Sequence, residues 1–127
     1  MAWQDIALMA AGAIGGGVAL IHGLLVRRLM AAPINSLFQA EPAISQPVKR
    51  LVPLLLDFSA YNWFLSGMAL VAAAIWLGSE AKMMVGLLAG TSFLFAALGN
   101  FWGTKGRHMG WVPYAISTAA IFIALVG

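Results

Sequence analysis

Few side chains in this sequence could do chemistry, and they stand singly inside apolar stretches. The four that fall at a common depth are His22, Asp57, Asn100 and Tyr114. An imidazole beside a carboxylate can exchange protons or hold a cation, whereas an amide and a phenol supply hydrogen bonds. Tyr61 follows Asp57 by one helical turn and extends the polar group. An ionisable group inside a membrane costs ~2.5–3.5 kcal/mol on insertion scales, so each one invites a functional hypothesis.

Three interpretations of this polar layer stay open. In the first, His22 and Asp57 hydrogen-bond each other and clamp the helices, with Asn100 and Tyr114 completing the network. In the second, the layer is hydrated, and Asp57 and His22 exchange protons or bind a cation, as in a transporter. In the third, His22 or His108 ligates haem or a metal. His108 has a different depth from His22, so we expect no cofactor.

Catalytic patterns are missing from the sequence. There is no cysteine, no serine flanked as in a nucleophile elbow, no HExxH and no paired carboxylates. Glu41 and Glu80 fall in expected loops. We therefore favour a protein that is not an enzyme, although His22 and Asp57 lie close enough to headgroup depth to leave lipid chemistry open.

The elements that position these side chains follow from composition. The chain is 62% hydrophobic and 9% charged, whereas soluble domains carry roughly 25% charged residues. A membrane span needs ~20 consecutive apolar residues, and four runs qualify: about 6–26, 51–77, 83–102 and 109–126. Backbone groups in hydrocarbon are satisfied by helices, and runs this long exclude strands. The sequence predicts an all-α polytopic membrane protein, a bundle of four transmembrane helices forming a single domain over residues 1–127.

The basic residues orient this bundle. Six of the seven fall in the first and third loops, on one side of the membrane, and only Lys82 falls on the other. Positive loops face the cytoplasm, so we expect both termini on the non-cytoplasmic side of a bacterial inner membrane. The same six side chains could bind anionic lipid headgroups, whereas nucleic-acid binding is not favoured. They are Arg27, Arg28, Lys49, Arg50, Lys105 and Arg107.

Small residues predict close helix packing. Where lipid gives no hydrophobic drive for association, glycine and alanine let helix backbones approach. They stand at helical spacing in the first and third spans. Either they pack the four helices of one chain together, or they form an interface to a second copy or a partner subunit. The residues are Gly12, Gly15, Gly16, Ala19, Gly23, Gly86 and Gly90.

The first loop, Leu29 to Gln46, is long for a helix–helix connection. Pro33, Pro42 and Pro47 interrupt it, and the residues after Pro33 could form one amphipathic turn or two on the membrane surface. We interpret it as an ordered interfacial connector. The alternative is a segment that docks a partner or acts as a gate.

Three stretches carry a resemblance: Leu20 to Gly23 followed by Arg27, Arg28 and Pro33; Leu51 to Ser59; and Gly106 to Trp111. With these motifs the chain resembles a broad group of uncharacterised small bacterial four-span integral membrane proteins. The resemblance covers most of the chain and implies the four-span fold but no activity. In that group a histidine is expected where Asp57 stands, and its absence leaves His22 without a co-ligand.

Together these features favour a non-enzymatic role in the membrane. The leading hypothesis is an accessory or scaffold subunit, or a small oligomeric membrane module, with the bilayer, further copies or a membrane protein as partners. The alternative is a proton- or ion-coupled small transporter that uses Asp57 and His22.

Overall fold

The computed structural model describes residues 1–127 and is all-helical, with 87% of residues in helices and no strand. The helices are α1 (Trp3–Val26), α2 (Ala32–Ala40), α3 (Gln46–Trp76), α4 (Ser79–Thr104) and α5 (Trp111–Val126). Three helical segments are long and apolar enough to cross a membrane, namely Trp3–Ala40, α3 and α4, and α5 is a shorter apolar helix of 16 residues. The expected all-α architecture with four hydrophobic helices is therefore present.

The four long helices form a closed ring. Each of α1, α3, α4 and α5 packs against the next along the chain, and α1 also packs against α5. The start of α1 lies beside the end of α5, since Trp3 adjoins Gly127, and beside the start of α4, since Asp5 bonds Lys82. Consecutive helices therefore run in opposite directions, in the up-and-down order that short connections favour.

The connection between α1 and α3 contains more helix than the one or two amphipathic turns expected from the sequence. A π-helical turn, Arg27–Ala31, joins α1 directly to α2, and the backbone N–H of Ala32 donates to the carbonyl of Arg27, five residues back. Pro33 explains the wide turn, because proline has no N–H and its ring would clash with the carbonyl four residues earlier. α2 buries none of its residues.

The second connection is shorter than the gap between the expected spans 51–77 and 83–102. Only Leu77 and Gly78 separate α3 from α4, and Ser79 already belongs to the helix. The charged residues after Gly78 were expected to form a loop, but they form the first turn of α4. Glu80 is favourable there because the N-terminus of a helix carries a partial positive charge. α4 ends at a left-handed cap: Lys105 has φ 52°, and the N–H of Gly106 donates to the carbonyl of Phe101 at 2.8 Å.

The core consists mainly of small side chains meeting larger ones. Gly12 and Gly16 of α1 face Gly67 of α3, while Gly15 leaves room for the ring of Phe93 on α4. The other predicted packing glycines each lie against a side chain of the same protein chain, and the predicted packing alanine is buried. Gly23 faces Ala60, Gly86 faces Leu125, Gly90 faces Ile121 and Phe122, and Ala19 is 1% exposed.

Candidate functional site

The expected polar layer divides between two faces of α3. Asp57 accepts hydrogen bonds from Arg27, at 3.0 Å from Nε to Oδ1 and 3.4 Å from Nη2 to Oδ2. His22 makes no side-chain hydrogen bond and instead packs edge-on against Trp63, with ring centroids 5.2 Å apart. Asp57 and Tyr61 line one groove, whereas His22 lines a separate hollow. The imidazole and the carboxylate are therefore not brought together.

An aromatic cluster occupies the interior where the polar network was expected. Each long helix contributes one ring: His22 from α1, Trp63 from α3, Phe93 from α4 and Tyr114 from α5. Tyr114 lies 5.3 Å from Trp63 and 5.6 Å from Phe93 between ring centroids. It is fully buried, and its hydroxyl, like that of Ser117, has no hydrogen-bond partner. The predicted tyrosine is thus a core aromatic that brings one unsatisfied hydroxyl into the bundle.

Trp63 is the residue that sequence reasoning missed. It lies in the middle of its apolar run, away from the interfacial depth where tryptophan is enriched. The structure uses it to connect His22 with Tyr114. A tryptophan far from both membrane interfaces was the available signal for an interior ring.

His22 and Asn100 are brought to one hollow of about 360 Å³ between α1, α3 and α4. The Asn100 amide donates to the carbonyl of Ala96 at 2.8 Å, which leaves it tied to its own helix. A smaller hollow of about 270 Å³ adjoins it and shares Ser59, Trp63 and Phe95. Both hollows separate α3 from α4 on the side away from their two-residue connection.

One hydrogen bond joins α3 to α4 beside the smaller hollow. Asn62 Nδ2 donates to Ser92 Oγ at 3.2 Å. On α4, Gly99 and Gly103 border the larger hollow, and a Cβ built at either glycine meets nothing within 4 Å. We call this region the α3–α4 seam, defined by Phe58, Asn62, Ser92, Phe95, Gly99 and Gly103.

Two ion pairs join helices at opposite ends of the bundle. Arg27 and Asp57 connect α1 to α3, with side chains 68% and 39% exposed. Lys82 donates to Asp5 Oδ1 at 2.5 Å and connects α4 to α1, with side chains 24% and 16% exposed. The Asp5–Lys82 pair was not predicted, although both residues fall at the same expected end of the bundle.

The remaining basic residues gather at the end opposite Lys82. Arg28, Arg50, Lys105 and Arg107 are exposed and form no ion pair. Lys49, near the start of α3, differs because it is only 9% exposed. Exposed cations at one end suit either an orienting role or contact with lipid headgroups.

These groups can hydrogen-bond and pair charges, but no hydroxyl is bonded to a base that would activate it. No group of three or more His, Cys, Asp or Glu side chains is placed to hold a metal ion. No family model, curated protein or solved structure matches the chain. The resemblance to small bacterial four-span proteins therefore stays a prediction, and function rests on the features of this chain.

Proposed function

We propose that the protein is a non-catalytic module of the bacterial inner membrane that assembles with a second copy through the α3–α4 seam. One observation carries this proposal: Gly99 and Gly103, one helical turn apart, border the larger hollow, and a Cβ at either position would meet nothing within 4 Å. Every predicted packing glycine, by contrast, has a neighbour within its own chain. Glycines at this spacing allow close approach of another helix in a membrane.

Two exposed phenylalanines lie at the edge of the α3–α4 seam, beside its glycine recess. Phe58 and Phe95 project from it and are 61% and 74% exposed, while the two glycines leave a recess beside them. Aromatic rings that project beside a recess are typical anchors in an interface. The exposed Asn62–Ser92 hydrogen bond adds polar groups that can bond across helices.

The partner is a second copy because the seam complements itself. Copies inserted with the same orientation can be related by a two-fold axis along the membrane normal, which places the same patch on both sides of the interface. The projecting phenylalanines of each copy then face the glycine recess of the other copy, with Phe95 of one copy seated over Gly99 of its partner. Because this axis is parallel to the membrane normal, each residue lies at the same depth in the bilayer in both copies.

The absence of cysteine allows a direct test in membranes. When Phe95→Cys and Gly99→Cys variants are expressed together, mild oxidation should form disulfide-linked dimers between residue 95 of one copy and residue 99 of the other. Gly17→Cys is the matched control, because Gly17 on α1 is also exposed with nothing within 4 Å of its Cβ position. Gly99→Leu, which fills the recess, should reduce dimer formation, whereas Gly17→Leu should not.

Three other outcomes would overturn the homodimer. Cross-linking at residue 17 as strong as at 95 and 99 would indicate random collision. A monomer in gentle detergent, with no cross-links, would exclude assembly. Co-purification of a different membrane protein that protects Gly99→Cys from labelling would identify an accessory subunit and would contradict self-association.

The transporter alternative has a separate test. It requires Asp57 and His22 to act together, but Asp57 is paired with Arg27 on the opposite face of α3 from His22, so no geometric observation favours it. Asp57→Asn in proteoliposomes should leave any proton flux unchanged, with the wild-type protein measured beside it. A flux that depends on Asp57 and also falls in His22→Gln would favour the transporter over the module.

A further inference from the structure

A groove runs along the outer flank of α1 and α3, opposite the α3–α4 seam. Its volume of about 450 Å³ exceeds that of either hollow at the seam. Apolar side chains form its walls, among them Leu20 and Leu24 from α1 and Phe64 from α3. Gly23 also lines the groove and, having no side chain, does not fill it. In a membrane such a groove lies against acyl chains, so its natural occupant is a lipid tail.

The groove ends at an ion pair whose members both stay accessible. Arg27 and Asp57 line its end with side chains 68% and 39% exposed. The guanidinium has five N–H groups, and only Nε and Nη2 donate to Asp57. The carboxylate accepts two bonds and has lone pairs left. A positive and a negative group therefore stand side by side, each able to bind one more partner.

The geometry points to a zwitterionic phospholipid with a primary ammonium, of the phosphatidylethanolamine class, bound with one tail in this groove. Its phosphate accepts from the free N–H groups of Arg27, and its ammonium donates to Asp57. Bonds between ionised partners are about twice as strong as neutral ones. Tyr61, exposed in the groove one turn deeper, lies where its hydroxyl can donate to a glycerol ester.

The pairing of charges selects this headgroup over the other common ones. A trimethylammonium has no N–H and cannot donate to Asp57, so phosphatidylcholine loses that contact. Phosphatidylglycerol has a phosphate for Arg27 but no ammonium to donate to the Asp57 carboxylate. The site lies on a different flank from the α3–α4 seam, so it does not depend on the proposed assembly.

The test is lipid retention by the delipidated full-length protein, measured by native mass spectrometry. Dioleoyl phosphatidylethanolamine, phosphatidylcholine and phosphatidylglycerol are titrated separately. The wild type should bind the ethanolamine lipid about tenfold more tightly than the choline lipid, the factor expected for one charged hydrogen bond. Asp57→Asn should lose this preference, and Arg27→Gln should weaken all three lipids.

Two further variants separate recognition from folding. Arg50→Gln removes an exposed cation outside the groove and should keep the wild-type preference. The exchange of Arg27→Asp with Asp57→Arg keeps both charges at the groove end and should restore the ethanolamine preference that Asp57→Asn loses. Tighter binding of phosphatidylglycerol than of phosphatidylethanolamine, strengthened by Asp57→Asn, would replace this proposal with an anionic-lipid site. Equal binding of all three lipids would overturn it as well.

Discussion

Gly12 of α1 and Gly67 of α3 lie so close that a Cβ added to either would come within 2.5 Å of the other's carbonyl oxygen. Real Cβ atoms essentially never approach a neighbour closer than 3.0 Å. Because α1 and α3 share the most extensive helix contact in the bundle, the crossing at these two glycines sets the distance between the helices that carry His22 and Trp63 and that line the groove ending at Arg27 and Asp57.

Gly67→Ala should therefore destabilise the bundle by about 1–3 kcal/mol, the usual range for overpacking a tight core. The measurement is equilibrium unfolding in mixed micelles with increasing dodecyl sulfate, followed by tryptophan fluorescence. Gly17→Ala is the control, because nothing lies within 4 Å of its Cβ position and alanine favours a helix by about 1 kcal/mol. If both variants were equally stable, the close α1–α3 crossing would be wrong.

The two interhelical ion pairs should differ in strength. Asp5 and Lys82 are 16% and 24% exposed, whereas Asp57 and Arg27 are 39% and 68% exposed. Water screens an exposed pair and leaves it little net energy, whereas a hydrogen bond between charged groups that are better shielded contributes more.

Double-mutant cycles measure the two coupling energies directly. We expect a larger coupling for Asp5→Asn with Lys82→Gln than for Asp57→Asn with Arg27→Gln, and raised salt should weaken the second pair more. The cycles are run in detergent without added phospholipid, so that no headgroup covers Arg27 and Asp57; a reversed order there would contradict the greater shielding of the Asp5–Lys82 pair.

Tyr114→Phe should stabilise the protein. The Tyr114 hydroxyl is buried without a partner, and such a group carries a desolvation penalty of about 1–3 kcal/mol that phenylalanine does not. The ring contacts with Trp63 and Phe93 are kept. Tyr61→Phe, at an exposed position, should change the unfolding free energy by less than about 0.5 kcal/mol. A loss of stability in Tyr114→Phe would show that the hydroxyl binds water or a ligand inside the bundle.

Hydrophobic run lengths were sufficient to predict the four long helices, although not their exact ends or helix α2, because a long apolar run is a property of the local sequence. They could not predict which faces meet. His22 and Asp57 fall at similar depths, as a rise of ~1.5 Å per residue implies, but the rotation of α3 turns Asp57 to the outer groove and Trp63 to the interior. Rotation depends on how every helix packs, and that information is distributed over the whole chain.

Gly67 shows the same limit in another way. It stands without a second glycine four residues away, so no motif marked it, unlike Gly86 and Gly90. Its role arises from Gly12 and Gly16 on the facing helix. Arg27 could be predicted to end an apolar run, but its bond to Asp57 joins positions thirty residues apart. Both depend on tertiary neighbours that a single segment does not encode.

The orientation in the membrane gives the last prediction. Lys82, the one basic residue at its end of the bundle, is paired with Asp5, while Arg28, Arg50, Lys105 and Arg107 remain exposed without an ion pair at the other end. From these charges the positive-inside rule predicts that the connection between α4 and α5 lies in the cytoplasm. A reporter active only in the cytoplasm should be active when inserted after Gly106 and silent when fused after Gly127.

α5 makes this pair of fusions informative. Its 16 residues extend about 24 Å at a rise of ~1.5 Å per residue, less than the ~30 Å hydrocarbon core. If α5 crosses with local thinning of the bilayer, the two fusions differ as predicted. Activity of both fusions would show that α5 does not cross the membrane. Activity of the C-terminal fusion alone would show that the bundle has the opposite orientation to the predicted one. Only the predicted pattern places the Arg27–Asp57 pair at the cytoplasmic headgroups.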